Sequence, residues 1–276
     1  MNGLRSKVAL AVLICMVAGC DKNATDHPRY GKIASLTTDW TDRGEGIDIP
    51  DGYTVSIDEY KVSLSGAVNS VDHLFEPGRY DLYVYNPAAG TTVNGGIAAA
   101  NYMAGELGWL FTGLESVSLD KDRDYLMTVI MRQQVRQLNL ELNISGDAAD
   151  RLAGIDAALS GAAGAWNIAM RQPVAGSGAT ARFFFTQTEG KWLATVRLLG
   201  IVGSAQELSL TLRFTDSNPA SYTLISNLSG RLAAFNDNKT VPMALSAIMA
   251  VTPTQGGFTT TISNWVDGGT STGVAE

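Results

Sequence analysis

Leu138-Asn139-Leu140-Glu141-Leu142-Asn143-Ile144 places an aliphatic residue at every second position and a polar residue between each pair. Successive side chains of a strand point to opposite faces, so a period of two predicts a β-strand with one buried and one wet face. A helix would scatter the same four apolar residues around its circumference. The pattern recurs on both sides of this stretch. Leu208, Leu210, Leu212 and Phe214 alternate in the same way. So do Tyr80, Leu82 and Val84 against Asp81, Tyr83 and Tyr85. Further strand candidates are 30–38, 53–57, 60–64, 125–131, 181–188, 191–199, 222–225, 241–251 and 258–266, whereas 107–117 is apolar without a clear period. Glu189-Gly190 reads as a hairpin turn, and Asp216-Ser217-Asn218-Pro219 as another turn.

One segment reads differently. Asp147 can cap a helix, Leu152, Ile155 and Leu159 fall at i, i+3 and i+7, and Gly161 can stop it. The spacing therefore predicts one short helix in an otherwise all-β chain. Many short strands separated by glycine-rich turns indicate β-sandwiches. There are more strands than one sandwich holds, which predicts two in series: 29–131 and 132–267, followed by a short tail, 268–276.

The N-terminus has its own logic. Arg5 and Lys7 precede an apolar run, 8–17, that is too short to span a bilayer, which needs roughly 20 apolar residues. Residues 1–19 therefore read as an export signal. The run ends in Val17-Ala18-Gly19-Cys20, a lipobox: a branched residue, two small residues and the cysteine whose thiol accepts lipid. One acyl chain anchors only marginally, so the two or three chains (palmitate among them) of a bacterial lipoprotein are expected on Cys20. Residues 20–28 form a polar tether. Of the two cysteines, Cys15 leaves with the signal and Cys20 is consumed by lipid, which leaves neither a disulfide nor a thiol nucleophile. Cleavage leaves 257 residues; Lys+Arg falls from 20 to 18 as Arg5 and Lys7 leave, against 27 acidic residues, for a net charge of about −9. Such a surface repels nucleic acid.

Chemistry-bearing motifs are sparse. The two histidines are His27, in the tether, and His73, beside Asp72. Neither a triad nor a zinc site can be assembled from them. Asp120, Asp122 and Asp124 begin like a calcium loop, but Tyr125 stands where glycine is needed and Met131 where the bidentate glutamate is needed. Asp39, Asp42, Glu45 and Asp48 surround Gly44 and Gly46, a composition open to either an acidic loop or a calcium-stabilised turn. Trp40, Trp109, Trp166, Trp192 and Trp265 are spread along the chain as core residues should be, with a carbohydrate platform as the alternative. No catalytic residue, cofactor or metal ligand is expected.

The lipobox, then residues 27–55, 75–86, 131–146, 155–164, 197–212 and 259–269 in that order, resemble the FimB-like fimbrial anchor-subunit and fimbrillin-like lipoproteins of Bacteroidetes-type bacteria. The similarity covers nearly the whole chain after the signal. It implies two transthyretin-like β-sandwich domains and a non-enzymatic place in a surface fimbria (pilus), usually at its base. The resemblance also implies an outer-membrane location through lipid on Cys20 and a stalk subunit as protein partner. Stalk and tip subunits belong to the same broad group. In the stalk subunits, removal of an N-terminal strand opens a groove that another subunit's strand fills. Here the first strand follows Cys20 by about ten residues, so cutting after Arg29 or Arg43 would detach the chain, and that groove is expected to stay occupied. The alternative function is a glycan-binding surface lipoprotein of β-sandwich type.

Overall fold

The computed structural model describes residues 30–146, 149–215, 220–254 and 257–268. Cys20, the tether, Asp147 and the turn at 216–219 lie outside them. The chain is all-β. Its first strands are β1 (Gly31–Asp39), β2 (Gly52–Ile57), β3 (Tyr60–Ser65), β4 (Val68–Asn69), β5 (Leu74–Phe75) and β6 (Gly78–Tyr85). Then come β7 (Thr91–Asn94), β8 (Ile97–Ala100), β9 (Phe111–Leu119), β10 (Arg123–Ile130) and β11 (Arg132–Gln133). One sheet runs β11-β9-β6-β2-β3; facing it, β1 lies between β10 on one side and β4 and β5 on the other. The apolar faces read from the sequence meet between these sheets. Ile33, Leu36, Val55, Leu82, Val84, Phe111 and Val129 are fully buried in one cluster.

The second half contains β12 (Arg136–Ser145), β13 (Leu152–Ala163), β14 (Ala165–Asn167), β15 (Gln172–Pro173), β16 (Gly178–Thr188) and β17 (Lys191–Leu198). After these come β18 (Glu207–Phe214), β19 (Ser221–Asn227), a one-turn helix α1 (Ser229–Leu232), β20 (Met243–Thr254), β21 (Gly257–Ile262) and β22 (Val266–Asp267). The order β19-β18-β13-β16-β17-β12-β20-β21 wraps around a second cluster. β16 makes the wrap possible. Residues 178–185 pair with β13, and residues 186–188 turn to pair with β17 through the hairpin at Glu189-Gly190. Leu138, Leu140 and Leu142 of β12 are at most 1% exposed, as their alternation requires. Each contributes roughly 1.5–3 kcal/mol of burial.

The expected helix across 147–161 is reduced to a single 3-10 turn at Ala149–Arg151, after which the chain runs as strand β13; among the described residues the one-turn α-helix is α1. Leu152, Ile155 and Leu159 are buried, but they reach the core by a period of two with an irregularity between Leu152 and Gly154. The added residue in the bulge converts a strand spacing into one that mimics a helix. β13 lies between β16 and β18, and Ala157, Ala162 and Ala163 are buried there. Flanking strands on both sides decide the conformation over the helical preference of alanine.

Residues 87–110 cross between the halves. β7 and β8 form a hairpin over Asn94-Gly95-Gly96-Ile97, and β8 then pairs with β14. Ala98, Tyr102, Leu107 and Leu110 thus belong to the second cluster although they precede β9 in the chain. Tyr102 is 8% exposed; its hydroxyl donates to the Ala163 carbonyl at 2.9 Å and accepts from the Leu199 amide at 3.1 Å. Tyr102→Phe strips both bonds and leaves a buried amide without a partner. That change should lower unfolding free energy by about 1–3 kcal/mol with an unchanged native spectrum, read by urea denaturation.

Candidate functional site

Residues 132–137 (Arg-Gln-Gln-Val-Arg-Gln) form the strap between the two clusters. Gln133, Gln134, Arg136 and Gln137 are all buried. Polar side chains survive burial only when hydrogen-bonded; Gln134 and Gln137 donate locally, to Arg132 and Asn139, whereas Gln133 and Arg136 reach other segments. Gln133 accepts from the Gly44 amide at 2.8 Å and donates to the carbonyls of Val135 at 2.8 Å and Lys239 at 2.6 Å. One side chain thereby joins the acidic loop of the first half, the strap and the loop before β20. Arg136 donates to the carbonyls of Val241 and Phe235, each at 2.7 Å, and its guanidinium lies 5.1 Å from the centre of the Phe235 ring.

Lys239 completes the junction from the far side. Its ammonium donates to the Gln134 carbonyl at 2.7 Å and to the Leu199 carbonyl, and it sits 3.3 Å from the centre of the Trp166 ring. Burial pushes the Lys239 pKa well below the usual lysine range, and the neighbouring Arg136 charge adds to the effect. Burial also lowers Arg136, opposed by Asp237. On the first-half side, Met131 donates its amide to Asp39 at 2.7 Å, and Gln134 donates its own to Leu110 at 2.8 Å. The junction is a hydrogen-bonded polar network that ties the acidic loop, the strap and the loop before β20 together.

The other candidates are dispersed. Asp42 pairs with Arg132 at 2.9 Å, and Asp39 accepts from the Thr41 amide at 2.9 Å. Asp120 takes the Tyr125 hydroxyl and the Arg123 guanidinium in a turn. Among the described residues no three acidic, histidine or cysteine side chains gather where they could hold a metal ion. His73 stacks on Tyr60 with ring centres 4.3 Å apart. Trp40, Trp166, Trp192 and Trp265 are buried, and Trp109 is covered by Arg197, 4.6 Å from its ring centre. The tryptophans therefore cannot form a carbohydrate platform. Among the described residues no helix is long and apolar enough to cross a membrane.

β1 begins at the pole opposite the strap. The Tyr30 carbonyl accepts from Asp122 in the β9–β10 turn, whereas the far end of β1 meets Met131 at the junction. β1 pairs in parallel with β10 from Gly31 to Asp39 and in antiparallel with β4 and β5. β10 lies at the sheet edge and carries Leu126, 80% exposed.

The sequence matches no protein-family model and none of the curated proteins. Solved structures do match in fold. A candidate adhesin of Bacteroides ovatus superposes with a TM-score of 0.60 at 16% identity, over 79% of this chain and 90% of its own. A second candidate adhesin of that species gives 0.54 at 13% identity, over 90% and 99%. The fimbrial anchor protein Mfa2 of Porphyromonas gingivalis gives 0.51 at 10% identity, over 84% and 97%. The chain shares their β-sandwich fold.

The buried ammonium makes the junction pH-dependent. A lysine whose pKa is depressed in the folded state contributes stability that is fully present above its unfolded pKa and lost as pH falls through the folded value. The difference in unfolding free energy between wild type and Lys239→Met should therefore shift in favour of wild type as pH rises toward 10.5, the ordinary lysine value. Denaturation at a series of alkaline pH values checks it; a difference that is flat with pH contradicts it.

Proposed function

We propose that this chain is a non-enzymatic structural subunit of a cell-surface fimbria, the anchor at its base. Lipid on Cys20 holds it to the outer membrane, exposed at the cell surface, and a stalk subunit is its protein partner. The observation that carries this reading is the placement of β1. The strand that the lipobox precedes by about ten residues is built into the first sandwich, with partners on both edges. A chain tied down just before β1 keeps that strand at home. Arg43 supports the same reading, because its guanidinium donates to the carbonyls of Ile47 and Trp40, each at 3.0 Å, and closes its own loop. β1 enters at the pole away from the strap, so a lipid before it leaves the second half pointing outward. The shared fold with adhesins and with a fimbrial anchor protein is consistent with this role.

The chain divides, in this proposal, into a signal peptide 1–19, a tether 20–28, sandwich domains 29–131 and 132–267, and a tail from 268. Residues 87–110 act as an arm of the first domain braced against the second. The partner contact uses strand exchange or docking at an open edge, since an unpaired edge accepts a neighbour's strand.

Cys20→Ala should leave the folded domains unchanged and move the protein from the membrane fraction to the soluble exported fraction. It should also shed filaments from the cells. Salt-resistant membrane association of the variant would refute the lipid anchor, and filaments lacking the wild-type protein would refute the fimbrial role. A fragment of residues 132–268 should fold less stably than one of residues 87–268, because only the longer one retains Tyr102 and Leu107. Equal melting temperatures would mean that the arm is not part of the second domain's core.

A further inference from the structure

The β7–β8 hairpin leans over the outer face of the first sheet and makes a cleft there. Both turn glycines have positive φ, 53° at Gly95 and 76° at Gly96, which is the turn that a two-residue hairpin between twisted strands requires. Gly96 is buried, and a Cβ added to it would come within 2.6 Å of the Tyr83 hydroxyl oxygen. The Gly96 carbonyl also accepts from the Ile168 amide at 2.9 Å, so the second half fixes the hairpin in place. The cleft beneath encloses about 300 Å³, the lower end of the small-ligand range.

Its lining is unusual for the wet face of a sheet. Tyr83 and Tyr85 occupy two successive outward positions of β6, beside Asp81, with Asp58 from the β2–β3 turn, Lys61 from β3 and Asn94 from the hairpin. Asp81 accepts the Ser116 hydroxyl at 2.5 Å. The side chains of Asp58, Lys61, Asn94, Tyr83 and Tyr85 make no hydrogen bond among the described residues. Burial raises both tyrosine pKa values, with Asp81 adding to the effect at Tyr83, so both phenols are protonated donors at neutral pH.

We propose that this cleft binds a neutral saccharide. The chemistry selects that class. A sugar ring has an apolar C–H face, which suits tyrosine rings, and a rim of hydroxyls that both donate and accept. Carboxylates accept, ammonium and phenol groups donate, and the Asn94 amide does both. Two carboxylates against one lysine disfavour an anionic ligand, and the polar rim disfavours an apolar one. The binding goes beyond the anchor role and does not depend on it.

The test uses the purified protein on an array of glucose-, galactose-, mannose- and N-acetylglucosamine-terminated oligosaccharides alongside sialylated and sulfated ones. Positives are then titrated by NMR. Neutral oligosaccharides should bind, and Tyr83→Ala or Tyr85→Ala should weaken them about tenfold or more. Gly96→Ala should abolish binding by driving the hairpin against Tyr83. Because that variant strains the turn, Asp58→Asn, on an exposed residue, serves as a second probe, with reduced affinity and an unchanged melting temperature expected. Absence of any bound neutral glycan, binding of acidic glycans alone, or binding that survives both tyrosine changes would each overturn the assignment.

Discussion

The direct passage of the chain from one core to the other is a peptide that has to be both polar and dry. The six residues of the strap bury three glutamines and an arginine, and Gln133 and Arg136 among them pair with backbone carbonyls and an amide from distant segments. Apolar contact alone would tolerate sliding. A hydrogen bond with a fixed length and direction does not, and the penalty for leaving a buried partner unmade enforces one arrangement. Lys239 shows how strictly this holds: a buried ammonium is costly, and it is retained with two carbonyls and an indole face as its partners. The orientation of the two cores is therefore specified by chemistry, independently of the size of the surface between them.

Alternation at 138–144, 208–214 and 80–85 was legible because those strands bury one face and wet the other. The segment 152–163 was not, since a bulge shifts its register and alanine replaces the β-branched residues that advertise a strand. Sequence periodicity cannot see a strand whose small side chains are chosen by neighbours on both sides. The β7–β8 hairpin is hidden in the sequence for a related reason. Ile97-Ala98-Ala99-Ala100 has weak strand preference, and only Asn94-Gly95-Gly96 signalled the turn. Without a readable hairpin, neither the arm 87–110 nor the cleft over Tyr83 is legible in the sequence. The strap marks the domain boundary in the sequence, but its burial is not legible there, because its partners at Gly44, Phe235, Lys239 and Val241 are distant in the chain. The tryptophans behave as core residues, so the aromatic surface sits instead on tyrosines whose outward phase the alternation of β6 had already given.

The two halves solve the edge problem differently. In the first, β1 fills the middle of its sheet and leaves β10 as an edge with an exposed leucine. In the second, the eight-strand wrap brings its ends close, and the Trp265 indole donates to the Ser226 hydroxyl at 3.0 Å, fastening the last segment to β19. An open edge in one half and a fastened seam in the other give the chain a polarity that its repeated β architecture alone would not.

That polarity has a mechanical side. β1 begins at the pole away from the strap, and β10 ends beside the strap, with the two strands parallel and joined over eight register pairs. A load applied at Tyr30 and resisted at Met131 draws the parallel neighbours past each other along their length. All eight pairs then share the load simultaneously, whereas a hairpin pulled from its open end yields one pair at a time like a zipper. The same hydrogen bonds resist far more force in shear than in peeling, so the direction in which this first strand is threaded sets how hard the protein can be pulled.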